Sequence, residues 1–261
     1  MAELAPSPTR GSDLQIVADY DLQNGGKLAI ALGDIVTYEG AALVNAANRG
    51  CQGGGGVDGA ITRAGGDELR KLRRRLPKPF PGVDDRCETG DAVRTTAAEG
   101  TTLGRLNVKT VIHAVGPDYS EKGMSHAESD GLLRKAYGAA IREAGAAKVE
   151  TVALPLISAK IFRGNRDLAG LLELSLDALV AAADASSLKE VVLVALDGQA
   201  SISRYARTER ERDLSAGSGP EAPLGPGPRS RRVFRRRGAL ADLRRVLPRR
   251  EENDSVRRLG G

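Results

Sequence analysis

Two asparagines, a run of four glycines and one aspartate lie close together between Val44 and Leu69, in VNAANRGCQGGGGVDGAITRAGGDEL. Glycines such as Gly53 to Gly56 let backbone approach a ligand and aim N–H groups at anionic oxygens. A helix that follows adds its positive dipole end. Asp58 is the informative member, because a carboxylate repels a bare phosphate. In such a loop it suits a hydroxyl, or a water near a phosphate. Asn45 and Asn48 precede it as polar residues at a strand exit. The plainer alternative is a tight turn before a helix with Asp58 as a capping residue. Four consecutive glycines exceed what a cap requires.

These residues need elements to hold them. Ala41 to Val44 reads as the end of a buried strand, and from Gly59 the spacing of Ala60, Ile61, Ala64 and Leu69 is helical. That helix is expected to continue through Lys71-Leu72-Arg73-Arg74-Arg75-Leu76, its basic run a solvated face, until Pro77, Pro79 and Pro81 stop it. Asp13 to Tyr20 alternates as an edge strand. Leu28 to Leu32 is a short strand running into Gly33-Asp34-Ile35. Cys87 to Val93 leads towards a further strand, with Cys87 structural. Val108 to Val115 is a β-branched strand, and His113 within it reads as a hydrogen-bonded core residue. Residues 118 to 130 are expected to form a polar loop. Leu132 to Ala147 and Leu168 to Ala183 have helical spacing. Val149 to Ile157 and Leu188 to Leu196 complete the strands, the last ending at Asp197-Gly198.

Strands alternating with helices predict a mainly parallel sheet covered on both faces. Such sheets bind ligands beyond the carboxyl ends of their strands. Asp34, Asn48, Asp58 and Ser158 all fall just past a predicted strand. Asp34 also suits a helix N-cap, and the two roles are compatible.

The 261 residues suit one or at most two domains, and with no Trp and 3% aromatics the core must be aliphatic. The net charge of +5 is unevenly spread. From Arg204 onward there are sixteen Arg and no Lys against eight acids, whereas the rest holds 23 basic and 26 acidic residues. The basic character therefore belongs to the tail. Residues 1–12 and 204–261 are expected to be disordered. The tail's cluster Arg229, Arg231, Arg232, Arg235, Arg236 and Arg237 suits nuclear import, a nucleic-acid contact, or no role beyond solvation. Cys51 and Cys87 make no disulfide framework or metal cluster, so a reducing compartment is expected. No stretch approaches the roughly 20 apolar residues of a membrane span, and no secretory leader is apparent. A cytoplasmic or nuclear monomer without membrane contact is the expectation.

The pattern NAAN, a few residues, GGGGVDGAI, one residue, RAGG resembles the signature of macrodomains. Three further pieces occur in family order: Leu32-Gly33-Asp34-Ile35, Val111-Ile112-His113-Ala114-Val115-Gly116-Pro117 and Leu154 to Phe162. The resemblance spans about Leu28 to Asp197 and is strongest to the MacroD-type ADP-ribosyl hydrolases. It implies a three-layer α/β/α macrodomain over residues 13–203, with a central mixed, mostly parallel sheet. It implies ADP-ribose or an ADP-ribosylated protein as partner. The implied activity is hydrolysis of ADP-ribose esters, on Asp or Glu or as O-acetyl-ADP-ribose, without a metal or cofactor. Asn48 and Asp58 match the catalytic pair, Asn48 holding a ribose hydroxyl and Asp58 orienting the distal ribose and a water. Asp34 and the Ile35 N–H match the adenine contacts. Asn45, Gly54, Gly55, Gly56 and Val57 match the ribose and phosphate loop. Ser158, Ala159, Lys160 and Ile161 match the diphosphate loop, and Phe162 the aromatic at the distal ribose.

Three positions depart from the pattern. Thr62 stands where the family usually has His, Lys160 where it has Gly, and Arg163 where it has a small residue. If the loop needs positive φ at 160, Lys160 is strained or the loop is reshaped. Two new cations beside a diphosphate would instead strengthen binding. The alternative to a hydrolase is therefore a non-catalytic reader of ADP-ribosylation, its basic tail contacting nucleic acid or poly(ADP-ribose).

Overall fold

The computed structural model describes residues 13–79 and 81–196. The expectations for segments 1–12 and 204–261, and for Asp197-Gly198, lie outside the described residues.

Seven strands form one sheet. They are β1 (Gln15–Asp21), β2 (Lys27–Leu32), β3 (Ala42–Ala47), β4 (Ala92–Thr96), β5 (Thr110–Val115), β6 (Thr151–Pro155) and β7 (Glu190–Ala195). Their order is β1-β2-β7-β6-β3-β5-β4. The central pairs are parallel, and β1 and β4 close the two edges antiparallel. Helices α2 (His126–Ala146) and α3 (Leu168–Asp184) cover one face, and α1 (Gly56–Arg74) covers the other. This is the expected three-layer α/β/α arrangement. Strands β5 and β7 are buried along their whole length, as central parallel strands must be when both faces carry helices.

Alternation along the strands decides what meets α1. Leu43 and Val111 pack into the cluster that includes Ile61, Ala64 and Leu69, while Val44 and Ile112 face α2 and α3. Asn45 and His113 therefore lie on the α1 side, and they are register partners across β3 and β5.

The structure differs from expectation in three places. Strand β3 runs on to Ala47, so Asn45 is inside the strand and fully buried rather than at its exit. The loop expected at 118–130 already contains the start of α2. Ser125 caps it, accepting from the Glu128 N–H while the Glu128 carboxylate accepts from the Ser125 N–H. And α1 is not one straight helix. Gly66, with φ 61 and ψ −153, interrupts it and separates Gly56–Gly65 from Asp67–Arg74. That combination of angles is open to glycine and almost nothing else.

Candidate functional site

The carboxyl ends of the parallel strands deliver their loops to one cleft of about 480 Å3. Of the residues singled out from sequence, Asp34, Ile35, Asn48, Gly54 to Gly56, Val57, Asp58 and Ser158 to Phe162 line it. Asn45 does not; it stands behind Asp58. Asp34 caps the short 3-10 turn Ile35–Thr37 by accepting from the Val36 N–H at 3.1 Å, so the capping role read from sequence is present. Its place at the cleft wall is present too.

Asn48 shapes the first wall. Its Nδ2 donates to the Gly53 carbonyl at 2.9 Å, and its Oδ1 accepts from the Cys51 N–H at 3.1 Å. These bonds fold the chain between Asn48 and Gly53 into a compact hook with Cys51 at φ 52. The Cys51 thiol donates to the Asn48 carbonyl at 3.4 Å, and the neighbouring Cys87 thiol is pushed up by Cys51 and by burial. Gly54 then passes directly over Asp58. A Cβ on Gly54 would lie 3.1 Å from Asp58 Oδ2 and 3.5 Å from Asn48 Nδ2, so a larger residue would press on the Asp58 carboxylate.

Beneath this loop runs a buried polar chain. Asp58 Oδ1 accepts from Asn45 Nδ2 at 3.0 Å, from Thr62 Oγ1 at 3.3 Å and from Arg73 Nη2 at 2.7 Å. Asn45 Nδ2 also donates to His113 Nδ1 at 3.2 Å, and His113 Nε2 meets Thr95 Oγ1 at 3.0 Å. A carboxylate only accepts, which fixes the Asn45 amide with its nitrogen towards Asp58. His113 Nδ1 must then be the acceptor, and the imidazole is neutral with its proton on Nε2. Burial, and next the Arg73 cation, hold His113 well below the usual histidine range. His113 is thus the hydrogen-bonded core residue expected from sequence, although its partner is a site residue. Asp58 Oδ2 is buried and has no hydrogen-bond partner.

The second wall runs from Ser158 to Gly164. Ser158 and Gly164 carry positive φ at the two ends of this loop, and the Ser158 Oγ donates to the Pro117 carbonyl at 2.8 Å. Lys160 has φ −122, so the strain contemplated at that position does not arise. Lys160 is exposed at the rim, while Arg163 turns back to donate to the Arg166 carbonyl at 3.0 Å. The Phe162 carbonyl accepts from the Tyr119 N–H at 2.8 Å. Ile161, 69% exposed, reaches across the cleft until its Cδ1 lies 3.1 Å from where a Gly55 Cβ would be. The two walls therefore touch above the cleft.

Arg73 is the residue that sequence reasoning misplaced. The basic run reads from sequence as a solvated face, and Lys71, Arg74 and Arg75 are exposed, but Arg73 is wholly buried. Its guanidinium donates to the Cys51 carbonyl and to Thr62 Oγ1, both at 2.6 Å, as well as to Asp58. The available signal was its position four residues after Leu69, on the apolar side of the segment beyond Gly65-Gly66.

Comparison with known proteins places the chain. The Macro domain family model matches residues 44–171. A macro domain-containing protein of Cupriavidus necator is 38% identical over 177 residues, covering 67% of this chain and 94% of that protein. The chain belongs to the macro domain family. O-acetyl-ADP-ribose deacetylase 1 of Pantoea vagans is 35% identical over 178 residues, covering 66% of this macrodomain chain and 93% of its own length. A longer Thermotoga maritima protein is 37% identical over 162 residues, and the match spans 25% of it. The solved Oceanobacillus iheyensis macrodomain with ADP superposes with a TM-score of 0.61 at 24% identity, covering 77% of this chain and 97% of that one. That likeness concerns the fold alone. Among the described residues of this macrodomain, no group of three or more His, Cys, Asp or Glu is placed to hold a metal ion. No described helix is long and apolar enough to cross a membrane.

Proposed function

We propose that this macrodomain binds ADP-ribose in the cleft and hydrolyses ADP-ribose esters, such as O-acetyl-ADP-ribose or ADP-ribosylated Asp or Glu. The observation that carries the reading is Asp58 Oδ2, a buried carboxylate oxygen without a partner beneath a glycine loop and beside Asn48. An unpartnered buried acceptor is costly and calls for a group to fill it. A ribose hydroxyl or a water, met by a small lift of Gly54, supplies that group. Asn48 spends one amide hydrogen on Gly53 and offers the other to a neighbouring hydroxyl. Backbone N–H groups of Gly54–Gly56 and Ser158–Ile161 suit the diphosphate, and Asp34 with the Ile35 N–H suits the adenine edge. Positioning of the water by Asp58 supplies most of the rate enhancement. The deacetylase names carried by relatives at 35–38% identity agree with this chemistry.

A second reading is a reader without turnover. It is favoured by the full coverage of Oδ2 and by the rim cation Lys160. Calorimetry with ADP-ribose and an ester-hydrolysis assay separate the two. Asp34→Ala should weaken ADP-ribose binding at least tenfold. Asp58→Ala should keep the fold and lose turnover by about a hundredfold or more, in line with loss of a positioned acid–base group. Equal ester hydrolysis by Asp58→Ala and the unaltered chain would remove the hydrolase reading and leave the reader.

A further inference from the structure

Asp58 and Arg73 are fifteen residues apart in sequence and joined by a 2.7 Å ion pair. In a straight α-helix fifteen residues advance about 22 Å, far beyond the reach of an arginine. The pair exists because Gly66 turns the second half of α1 back across the first. The resulting arrangement is specific. The guanidinium nitrogens divide among three acceptors: the Cys51 carbonyl in the hook, the Thr62 hydroxyl and Asp58 Oδ1. Gln52 closes the circle by donating to the Arg73 carbonyl at 2.8 Å. Arg73 itself is not among the residues that line the cleft.

Stability alone is a weak explanation of this design. A buried ion pair is often no better than an apolar pair of similar volume, since both charges must leave water. What the pair does accomplish is geometric. Asn45 on β3, Thr62 on α1 and Arg73 on the returning segment converge on the same carboxylate oxygen from three elements. With Oδ1 held in this way, rotation of the carboxyl group is restrained and Oδ2 is left as its free oxygen under Gly54. The same guanidinium holds the Cys51 carbonyl, and so fixes the hook in which Asn48 stands.

We propose that Arg73 is a positioning residue for hydrolysis at this site, locking Asp58 and the Asn48–Gly53 hook in one geometry from behind the cleft. The inference rests on the hydrolase reading above. It places the charge that supports Asp58 on a returning helix segment and uses Thr62 as the bridge between Arg73 and Asp58.

The test uses the full chain, ADP-ribose by calorimetry, and steady-state hydrolysis of O-acetyl-ADP-ribose. Arg73→Met should lower kcat about thirtyfold or more, with KM and the ADP-ribose Kd within about threefold, because Arg73 meets no part of the ligand. Arg73→Lys, which reaches Asp58 with one cationic nitrogen but cannot hold all three acceptors, should recover part of kcat. Thr62→Val keeps Arg73 and removes the bridge, and should lower kcat about fivefold at unchanged KM. If Arg73→Met does not fold, the Lys and Val variants carry the test. Unchanged kcat in the variants that fold, or a loss of kcat and affinity in parallel without rescue by Lys, overturns the proposal while leaving the hydrolase reading intact. No hydrolysis by the unaltered chain, with ADP-ribose still bound, overturns both.

Discussion

Asp58 reaches the cleft from a helix whose polar partners are all interior, whereas Lys160 and Phe162 stand on a loop fastened largely from outside. On the first wall, Asn45, Asp58, Arg73 and His113 are each 3% exposed or less. On the second, the loop is tied through the Tyr119 backbone and through Arg166, which donates to both oxygens of Asp130 at 3.2 and 3.0 Å with about a fifth of its surface exposed. Tyr119 Oη joins Asp130 at 2.7 Å. Buried polar chains tolerate one arrangement only, because each unmet group is costly. Pairs that keep some contact with water, as Arg166 and Asp130 do, exchange partners more cheaply than fully buried ones. The first wall is thus held in one arrangement, and the second is left freer to adjust; under the proposed function these suit placement of a reacting group and the binding of a diphosphate.

This contrast is most easily broken at Gly66. A Cβ there has room, since the nearest atom outside its own surroundings is Gly104 Cα at 4.0 Å, so any penalty comes from the backbone angles alone. Gly66→Ala should destabilise the chain by about 1–3 kcal/mol in urea unfolding and withdraw Arg73 from Asp58, with loss of turnover. Full stability and activity in that variant would mean that the returning segment is not held by this residue.

The next effect is a pH dependence that belongs to the first wall. His113 is held neutral, with a pKa depressed from its ordinary 6.5. Below pH 6.5 the unfolded chain takes up a proton that the folded chain refuses. Stability should therefore fall as pH drops from about 6.5 towards the folded value, by up to about 1.4 kcal/mol per pH unit from this group. His113→Gln should flatten that slope in thermal unfolding followed from pH 7 to 5. An unaltered slope would assign it to other groups.

The smallest effect is expected on the second wall. Arg166→Ala should cost less stability than Gly66→Ala, about 1 kcal/mol, since its pair with Asp130 keeps some contact with water, yet weaken ADP-ribose severalfold by freeing the loop. Equal losses of stability in Arg166→Ala and Gly66→Ala would erase the distinction between the walls.

The sequence disclosed what is local and hid what is folded back. Asp34 and Asn48 follow closely on a strand, and Gly54 to Gly56 and Asp58 stand in the same strand-to-helix connection as Asn48, so pattern and position agree, and the structure sets them around one cleft. The order of strands and helices likewise follows from hydrophobic spacing. Arg73 escaped because its partner is distant along the helix and near in space only after the Gly66 turn. Asn45 reads from sequence as a polar residue at a strand exit, and its bonds to His113 and Asp58 are what let it stand inside β3 instead. The start of α2 was hidden by polar residues between Asp118 and Asp130, where the Ser125 and Glu128 spacing was the one cue.

The strand order also sets a timetable for synthesis. Strand β2, which carries Asp34 at its end, is joined to the rest of the sheet by β7, the last strand described, and the Gly33 N–H donates to the Ala195 carbonyl at 2.9 Å. While a nascent chain still lacks Glu190–Ala195, Asp58 and its partners have already emerged, but Asp34 has no place beside them. Pairings this remote along the chain form slowly and late. A ligand that spans both ends of the cleft therefore recognises only finished molecules, and its capture reports completed folding rather than the presence of any single loop.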